Sequence, residues 1–401
     1  MTDNKLIILM ASLFISWNVF AEGDETQQNN FPNLKTGDGI TFTAADNSFS
    51  TTMKLRLQDV LQFDLDEDMS HTNITSQVRK MRLRFNGFVF STKIQYLVQL
   101  GFTPNDSKAT VNGRTNVLFD GMVFYHPNEI WNIGFGQQVL RAARARTVGS
   151  GNMQFVDRSI AINEFQIDRD FGFHGEFAHH IGKQFVLAAK GAVTTGEGRN
   201  WESSSYGGLS YTGRLELFPL GLFTNGGENV EGDYGHESTP KIMLGGSYNY
   251  NNRAMRLQGQ RGDLMPDNET RNIGTYFIDL TMKYDGFALM ADYMGRHAHD
   301  PFFEGNKKVA VFNGKGMNVQ SSYSFRNKWE LALRYAQLRP DDEIRPFAGY
   351  KSYDQSTLGI TRYLNGHKLK LQANASYSHK HEAVNPDYSR WTFQFLVEIG
   401  I

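Results

Sequence analysis

The sequence lacks three features, and each absence excludes a class of protein. It contains no cysteine in 401 residues, which excludes disulfides, thiolate metal sites and a cysteine nucleophile. It has no excess of one charge, because 41 basic residues stand against 42 acidic ones, and this argues against a protein that binds nucleic acid through its overall charge. Beyond the N-terminus it has no run of about 18 apolar residues, and its mean hydropathy is −0.45, so a protein with several membrane-spanning helices is excluded.

The N-terminus carries the one long apolar stretch. Lys5 precedes the stretch from Leu6 to Phe20, and Ala21 is followed by a glutamate. This pattern predicts a signal peptide over 1–21, with an uncleaved anchor as the alternative, and we expect 22–50 to be an N-terminal segment in the periplasm. An exported chain with 39 glycines and 13% aromatic residues is either a soluble β-protein or an outer-membrane barrel.

From about residue 50 the sequence alternates between apolar and polar residues. The alternation recurs about sixteen times, as it does in strands of which one face meets an apolar phase. The C-terminus is the clearest case, because one face consists of Trp391, Phe393, Phe395, Val397, Ile399 and Ile401. The other faces are strongly polar. The pattern therefore favours a barrel in a membrane over a soluble sandwich, whose apolar faces would pack inward.

Short turns alternate with long polar loops along the chain. Asp285-Gly286 and Asn365-Gly366 are typical of two-residue hairpins, whereas 140–168 is the longest loop. One connection, 219–240, has about twenty residues where a short turn is expected, and we expect an irregular excursion on the periplasmic side. This arrangement predicts an all-β fold, a transmembrane antiparallel up-and-down β-barrel of about 16 strands over 51–401.

Closure of such a sheet sorts its side chains. A sheet can span hydrocarbon only when every backbone donor is paired, so its apolar face meets lipid and its polar face meets the lumen. With about sixteen strands the lumen is too wide for side chains to fill and remains a water-filled channel. Aromatic residues near the predicted strand ends fit girdles at the two membrane interfaces, namely Phe124, Tyr125, Trp131, Tyr284, Phe325, Trp329, Tyr363, Tyr377 and Trp391.

Several segments resemble the phosphate-selective porin O/P family. Thr357 to Gln372, which reads TLGITRYLNGHKLKLQ, resembles the penultimate hairpin of the family, and Lys80 to Gly87 resembles its basic second strand. Further matches in the family's order are Asp120, Gly134-Phe135-Gly136-Gln137, Arg158-Ser159 and Arg169-Asp170-Phe171-Gly172. The resemblance implies a sixteen-stranded, usually trimeric outer-membrane porin whose inward-folding third loop, here 140–168, constricts the pore. One departure is Gln138-Val139-Leu140, where similar members carry a Lys and then a Pro.

Basic residues on the predicted lumen face are the candidate anion contacts. They are Lys54, Arg56, Lys80, Arg82, Arg84 and Lys93 on the first three strands, with Lys368 and Lys370 on the fifteenth. The loop adds Arg141, Arg144 and Arg146, whose guanidiniums can fork onto oxyanions.

Acidic residues on other strands would give the opposite wall a negative or mixed character. They are Asp120, Glu216, Asp279, Asp292 and Glu330. Separated charge of this kind concentrates counter-ions. The alternatives are that the wall charges only keep the lumen hydrated, and that the loop arginines pair with Glu164, Asp157 or Asp168.

These residues predict a porin for passive diffusion of small anions, phosphate among them. The alternatives are a general or organic-solute porin of the same fold and, third, a barrel enzyme, for which no Ser/His pair is found on one face of adjacent predicted strands. We expect no catalytic residue, metal or cofactor, and we interpret His297-Ala298-His299-Asp300 as a solvated loop. The expected partners are outer-membrane lipid, small anionic solutes and, by the resemblance, copies of the chain in a homotrimer, with no nucleic acid. The expected location is the bacterial outer membrane.

Overall fold

The computed structural model describes residues 39–69, 72–107, 116–200, 208–303, 306–345, 351–382 and 387–401. The signal peptide predicted over 1–21 and most of the segment predicted over 22–50 lie outside the described residues, so these remain predictions. Within the described part of the chain, no helix is both long and apolar enough to cross a membrane.

Sixteen antiparallel strands close into a barrel, as predicted. The strands of the chain are β1 (Ile40–Thr43), β2 (Phe49–Asp66), β3 (Thr72–Val89), β4 (Ser91–Gly101), β5 (Leu118–Tyr125), β6 (Trp131–Val139), β7 (Arg169–Ile181), β8 (Phe185–Thr194), β9 (Ser210–Phe218), β10 (Lys241–Ala254), β11 (Arg271–Tyr284), β12 (Phe287–Ala298), β13 (Phe302–Phe303), β14 (Asn306–Ala310), β15 (Gly314–Ser324), β16 (Trp329–Pro340), β17 (Lys351–Asn365), β18 (Leu369–Glu382) and β19 (Tyr388–Gly400). The barrel consists of β2 to β12 and β15 to β19, each paired with the next, and β19 pairs with β2 to close it. β1 pairs with the first residues of β2, beyond the end of β19, and β13 and β14 form a separate hairpin.

The strands have the predicted division into two faces. In β16, Glu330, Ala332 and Arg334 are buried in the lumen, whereas Leu331 and Leu333 are 45% and 57% exposed on the outer surface. An outer surface of exposed apolar side chains is unfavourable in water and favourable in hydrocarbon. In β16 the alternation therefore positions the polar residues to line or fill the interior.

The two ends of the barrel differ. Short hairpin turns and the connection 219–240 lie at one end, here called the turn end, and the other long connections lie at the opposite end, the loop end. At the turn between β11 and β12, Asp285 and Gly286 have φ of 42° and 90°, which are the positive values that two-residue hairpin turns require. Such turns match the short periplasmic connections of bacterial barrels.

The connection 140–168, here called the inward loop, folds into the lumen and packs against one side of the wall. It contains the short helices Arg144–Thr147 and Ile160–Phe165, and the side chain of Ser159 caps the second by accepting from the backbone N–H of Ile162 at 3.2 Å. Its apolar residues pack on the wall of β11, β12 and β16 and on the segment before β15, in a cluster of Leu140, Ala142, Ala143, Ala145, Ala161, Ile162, Phe165 and Ile167 with Phe277, Met294, Phe312 and Leu338. Full burial of a side chain such as Phe165 contributes roughly 2 kcal/mol. The loop therefore fills this side of the lumen.

The connection 219–240, here called the lumen insert, corrects an expectation. It starts at the turn end, as predicted, but it turns into the barrel and meets the inward loop. The backbone N–H of Glu231 donates to the carbonyl of Asn152 at 2.8 Å, and the N–H of Gln154 donates to Glu231 Oε2 at 3.0 Å. The extra residues thus supply hydrogen-bond partners to groups inside the barrel, which a two-residue turn could not reach.

Tyr363 also departs from its prediction. It was expected in an outer girdle, but it is fully buried in the lumen, where its hydroxyl donates to Glu330 Oε2 at 2.5 Å and its ring lies 4.6 Å from that of Tyr234 of the lumen insert. A register shift beside it, between Tyr363 and Asn365, marks a bulge at the end of β17. Bulges re-aim side chains.

Candidate solute pathway

The open part of the lumen lies opposite the side that the inward loop fills. It is a cavity of about 540 Å³, bounded by β3 to β7 and by the inward loop. Arg199 of the β8–β9 connection and Arg256 and Arg261 of the β10–β11 connection complete its lining near the loop end. The apolar packing of the loop on one side thus decides which charged residues remain accessible to a solute.

The cavity is strongly cationic. Ten basic and three acidic residues line it, namely Lys80, Arg82, Arg84, Arg141, Arg146, Arg158, Arg169, Arg199, Arg256 and Arg261 against Asp106, Asp120 and Asp168. The excess of positive charge is local, since the whole chain has a formal net charge of −1.

The acidic residues of the cavity hold part of this array in place. Arg169 forks onto Asp120 with Nε–Oδ1 and Nη2–Oδ2 distances of 2.8 and 3.1 Å, and Arg82 forks onto Asp106 with Nε–Oδ2 and Nη2–Oδ1 distances of 2.6 and 2.8 Å. Paired forks of this kind fix the plane of a guanidinium as well as its position.

Asp168 binds two of the arginines. Its Oδ1 accepts from Arg146 Nη2 and, at 3.2 Å, from Arg169 Nη1. Burial raises the pKa of Asp168, but the positive charges of Arg146 and Arg169 outweigh burial and hold this pKa well below its ordinary value. The carboxylate is therefore ionised throughout the physiological range.

Three basic residues of the cavity have no carboxylate bonded to them among the described residues. Within the described part of the chain, Lys80, Arg84 and Arg199 have neither a hydrogen bond nor an ion pair to another residue, although all three line the cavity. Their donors are available to a solute. They are the strongest candidates for direct contact with an anion.

The structure brings five of the eleven predicted anion contacts to the cavity. These are Lys80, Arg82, Arg84, Arg141 and Arg146. Arg141 also donates to Glu176 Oε1 at 3.2 Å, so two of the three loop arginines pair with a carboxylate. The pairing with Asp168 that was considered as an alternative for these arginines is present at Arg146.

The other six predicted contacts do not line the cavity. Lys54 and Lys93 lie in β2 and β4 near the turn end, and Lys368 lies in the turn before β18. Arg56 pairs with Glu398, and the buried Lys370 donates to the carbonyl of Met153 at 2.8 Å.

Arg144, one of these six residues, has a structural role instead. Its side chain is buried, and its Nε and Nη2 atoms donate to the carbonyls of Glu228 and Val230 at 3.1 and 3.0 Å. This guanidinium holds the inward loop on the lumen insert and has few donors left for a solute.

Five cavity arginines were not among the predicted site residues. They are Arg158, Arg169, Arg199, Arg256 and Arg261. Arg158 donates to the carbonyls of Ala145 and Val148 at 2.9 and 2.7 Å, and burial lowers its pKa to about 9, which leaves it charged at neutral pH. A sequence signal was present only for Arg158 and Arg169, which belong to segments that resemble the family.

Most of the acids that were expected on an opposing wall are covered. Glu216, Asp279, Asp292 and Glu330 do not line the cavity. Arg214 bonds Asp279 Oδ2 and Glu216 Oε1, each at 2.7 Å, and also donates to the carbonyl of Ala142 of the inward loop at 2.9 Å. The loop thus removes negative charge from the solute's path.

Comparison with known proteins relates this barrel to porins. Residues 52–219 match the model of the family described as phosphate-selective porin O and P. The chain is an outer-membrane porin, and the predicted family is confirmed over these residues. The porin therefore resides in the bacterial outer membrane, and its family and fold support a channel rather than an enzyme. The comparison with curated proteins gives no match.

Solved structures of other porins share the fold. OmpT of Vibrio cholerae is 11% identical with a TM-score of 0.53, over 88% of this chain and 98% of that one. The outer membrane channel DcaP of Acinetobacter baumannii is 10% identical with a TM-score of 0.55, over 90% and 99%. OprB of Pseudomonas putida is 8% identical with a TM-score of 0.55, over 88% and 94%. At these identities the likeness shows the fold alone.

Proposed function

We propose that this porin is a passive channel that prefers small anions, including oxyanions such as phosphate. The observation that carries the proposal is the cavity lining of ten basic and three acidic residues. A stripe of one sign in a low-dielectric wall focuses the potential and concentrates counter-ions. The covered position of Glu216 and Asp279 supports the proposal, because it removes acids that would attract cations to the pathway.

The unpaired cations are assigned the direct contacts. Lys80 and Arg84 lie on one face of β3, and Arg199 reaches the cavity from the β8–β9 connection. Arg82 and Arg146 share their charge with carboxylates and contribute mainly to the local potential. Guanidiniums present donors that match two oxygens of a phosphate or carboxylate, so oxyanions would be held longer than chloride.

Reversal potentials in a KCl gradient test the proposal. The purified porin in a planar bilayer is expected to favour chloride, and the variant Lys80→Gln/Arg84→Gln is expected to lose most of that preference. Lys93→Gln/Lys183→Gln removes two positive charges at exposed positions outside the cavity and is the matched control. A wild-type channel that favours potassium, or a double variant identical to the wild type, would contradict the proposal.

Phosphate block separates this proposal from the general porin. Added phosphate should reduce the chloride current at millimolar concentration if the oxyanion is held in the cavity. A chloride current that ignores phosphate favours the general or organic-solute porin of the same fold.

We also infer a homotrimer in outer-membrane lipid, an inference that rests on the family. Chemical crosslinking of the detergent-extracted porin should give a limiting species of three chains, and a limiting species of one chain would contradict it.

A further inference from the structure

Phe119 is an aromatic residue among the charged residues that line the cavity. Along β4 and β5, Gln99 pairs with Asp120 but Leu100 pairs with Leu118, so Phe119 is the extra residue of a bulge. In a regular strand Phe119 and Asp120 would point to opposite faces, whereas here both line the cavity. The bulge thus brings an apolar ring, 3% exposed, into the polar interior.

Three guanidiniums surround this ring. The Cζ atoms of Arg169, Arg82 and Arg199 lie 3.6, 4.2 and 4.9 Å from its centroid. These distances are within the range in which a cation is attracted to the negative face of an aromatic ring. One phenyl group therefore contacts three of the ten basic residues of the cavity.

The three arginines differ in what else holds them. Asp120 forks onto Arg169 and Asp106 forks onto Arg82. For Arg199 the described part of the chain offers neither a hydrogen bond nor an ion pair; the ring of Phe119 is its close contact, while Asp168 and Asp106 are nearby charges that attract it without a bond. A guanidinium that lies over a ring uses its face for that contact and keeps the N–H donors at its edge available.

We propose that Phe119 is a positioning residue that holds the guanidinium of Arg199 in the path of the solute, so that Phe119 and Arg199 together add to the anion preference that Lys80 and Arg84 carry. The proposal rests on the anion preference proposed above. It assigns to the bulge of β5 a role beyond packing, since without the bulge the ring would face lipid and Arg199 would lack its contact.

The competing explanation is that Phe119 only fills space beside Arg82 and Arg169. Phe119→Leu separates the two explanations because leucine keeps an apolar side chain of similar size but has no aromatic face. Phe119→Tyr keeps the face and is the conservative variant. Arg199→Gln removes the positioned cation itself.

The experiment measures the chloride-to-potassium permeability ratio of each purified porin from its reversal potential. Phe119→Leu should lower the ratio by about threefold, the loss expected from one cation–aromatic contact. Arg199→Gln removes the charge itself and should lower the ratio at least as much. The double variant should show no further loss, because the ring is expected to act through Arg199. Phe119→Tyr should restore the wild-type ratio.

Each other outcome overturns a defined part of the proposal. A wild-type porin without anion preference rejects the proposed function. A preference that Arg199→Gln lowers and Phe119→Leu leaves intact rejects the positioning role and keeps the function. A double variant whose loss is the product of the single losses shows that the ring acts through Arg82 or Arg169, which also rejects it. If the leucine variant does not assemble, Phe119→Met provides the same comparison.

Discussion

Arg144 and Lys283 donate hydrogen bonds to the same carbonyl oxygen, that of Val230. The distances are 3.0 Å from Arg144 Nη2 and 2.9 Å from Lys283 Nζ. Arg144 belongs to the inward loop, Lys283 to the wall at β11, and Val230 to the lumen insert. Lys283 also donates to the carbonyl of Gly227 at 2.8 Å. Three separate parts of the chain therefore meet at one carbonyl oxygen, and the two inward segments support each other.

Lys283→Met should destabilise the porin. The substitution removes both hydrogen bonds of the buried ammonium, to the partly buried carbonyls of Gly227 and Val230, and each bond contributes roughly 0.5–1.5 kcal/mol. The expected result is a lower temperature for the conversion of the folded barrel to the unfolded form in detergent, followed by circular dichroism or by the mobility of unheated and heated samples.

Lys241→Met is the matched control for this change. Lys241 also donates to a backbone carbonyl, that of Leu220 at 3.0 Å, but at an exposed position. Its loss should have little effect. If Lys283→Met raises the unfolding temperature, the desolvation of the buried ammonium outweighs its hydrogen bonds.

The walls of the barrel were predictable because their signal is local. Alternation with a period of two decides which face of a strand is apolar, and it places Glu330 inward and Leu331 outward without knowledge of any other strand. The strand count, the closure and the alternation of short turns with long loops follow from the same pattern. The predicted sixteen-stranded barrel is confirmed, and the periplasmic location of the turns stays a prediction.

The site was only partly predictable because its geometry is not periodic. Arg144 begins a helix of four residues, in which direction changes by about 100° per residue, so spacing alone does not tell which loop arginine faces the cavity. Phe119 enters the cavity through a bulge, which no alternation reveals. The lumen insert is held partly by backbone carbonyls, such as that of Val230. Every residue has a backbone carbonyl, so the sequence does not show which of them accept these hydrogen bonds.

Asp168→Asn should change the acid sensitivity of the porin. The pKa of Asp168 is lower in the folded state than in the unfolded chain, where it is about 3.9. The carboxylate therefore stabilises the folded state above about pH 4, and this contribution is lost as the pH falls toward the folded-state pKa. The gap in unfolding temperature between wild type and variant should be widest from pH 7 to 5 and should narrow toward pH 3.

The exposed Asp267 provides the comparison for this carboxylate. Asp267→Asn should give the wild-type profile at every pH. A gap between wild type and Asp168→Asn that stays constant from pH 7 to 3 would show that the charge of Asp168 does not stabilise the fold.

His367 should make the porin less stable below pH 6.5. Its Nδ1 lies 3.2 Å from the carbonyl of Gly151, its ring packs on Tyr363, and its buried Nε2 has no hydrogen-bond partner among the described residues. Burial, aided by the positive charge of Lys370, holds the pKa of His367 well below its ordinary value. Between the pKa of His367 in the unfolded chain and its lower pKa in the folded porin, the unfolded chain binds a proton that the folded one does not. The free energy of unfolding therefore decreases as the pH decreases, by at most about 1.4 kcal/mol per pH unit.

Unfolding temperatures at pH 7.5 and 5.5 test this dependence. His367→Gln keeps a donor without the titration, and its temperature difference between the two pH values should be smaller than that of the wild type. His180→Gln, at an exposed position of β7, should not alter the difference. Equal differences in all three proteins would mean that another group is responsible.

Gly232→Ala should loosen the lumen insert. Gly232 has a φ of 72°, and a Cβ atom there would collide with Glu330 Oε1 and lie 2.9 Å from Gln154 Nε2, two atoms that are themselves joined by a hydrogen bond of 2.6 Å. The strained backbone alone costs roughly 1–3 kcal/mol. Gly235→Ala is the control, because a Cβ atom at this nearby glycine meets nothing within 4 Å. The Gly232 variant is expected to unfold at a lower temperature and to show larger current fluctuations, since the insert holds the inward loop. If both variants behave alike, the contact between Gly232 and the Gln154–Glu330 pair does not hold the insert in place.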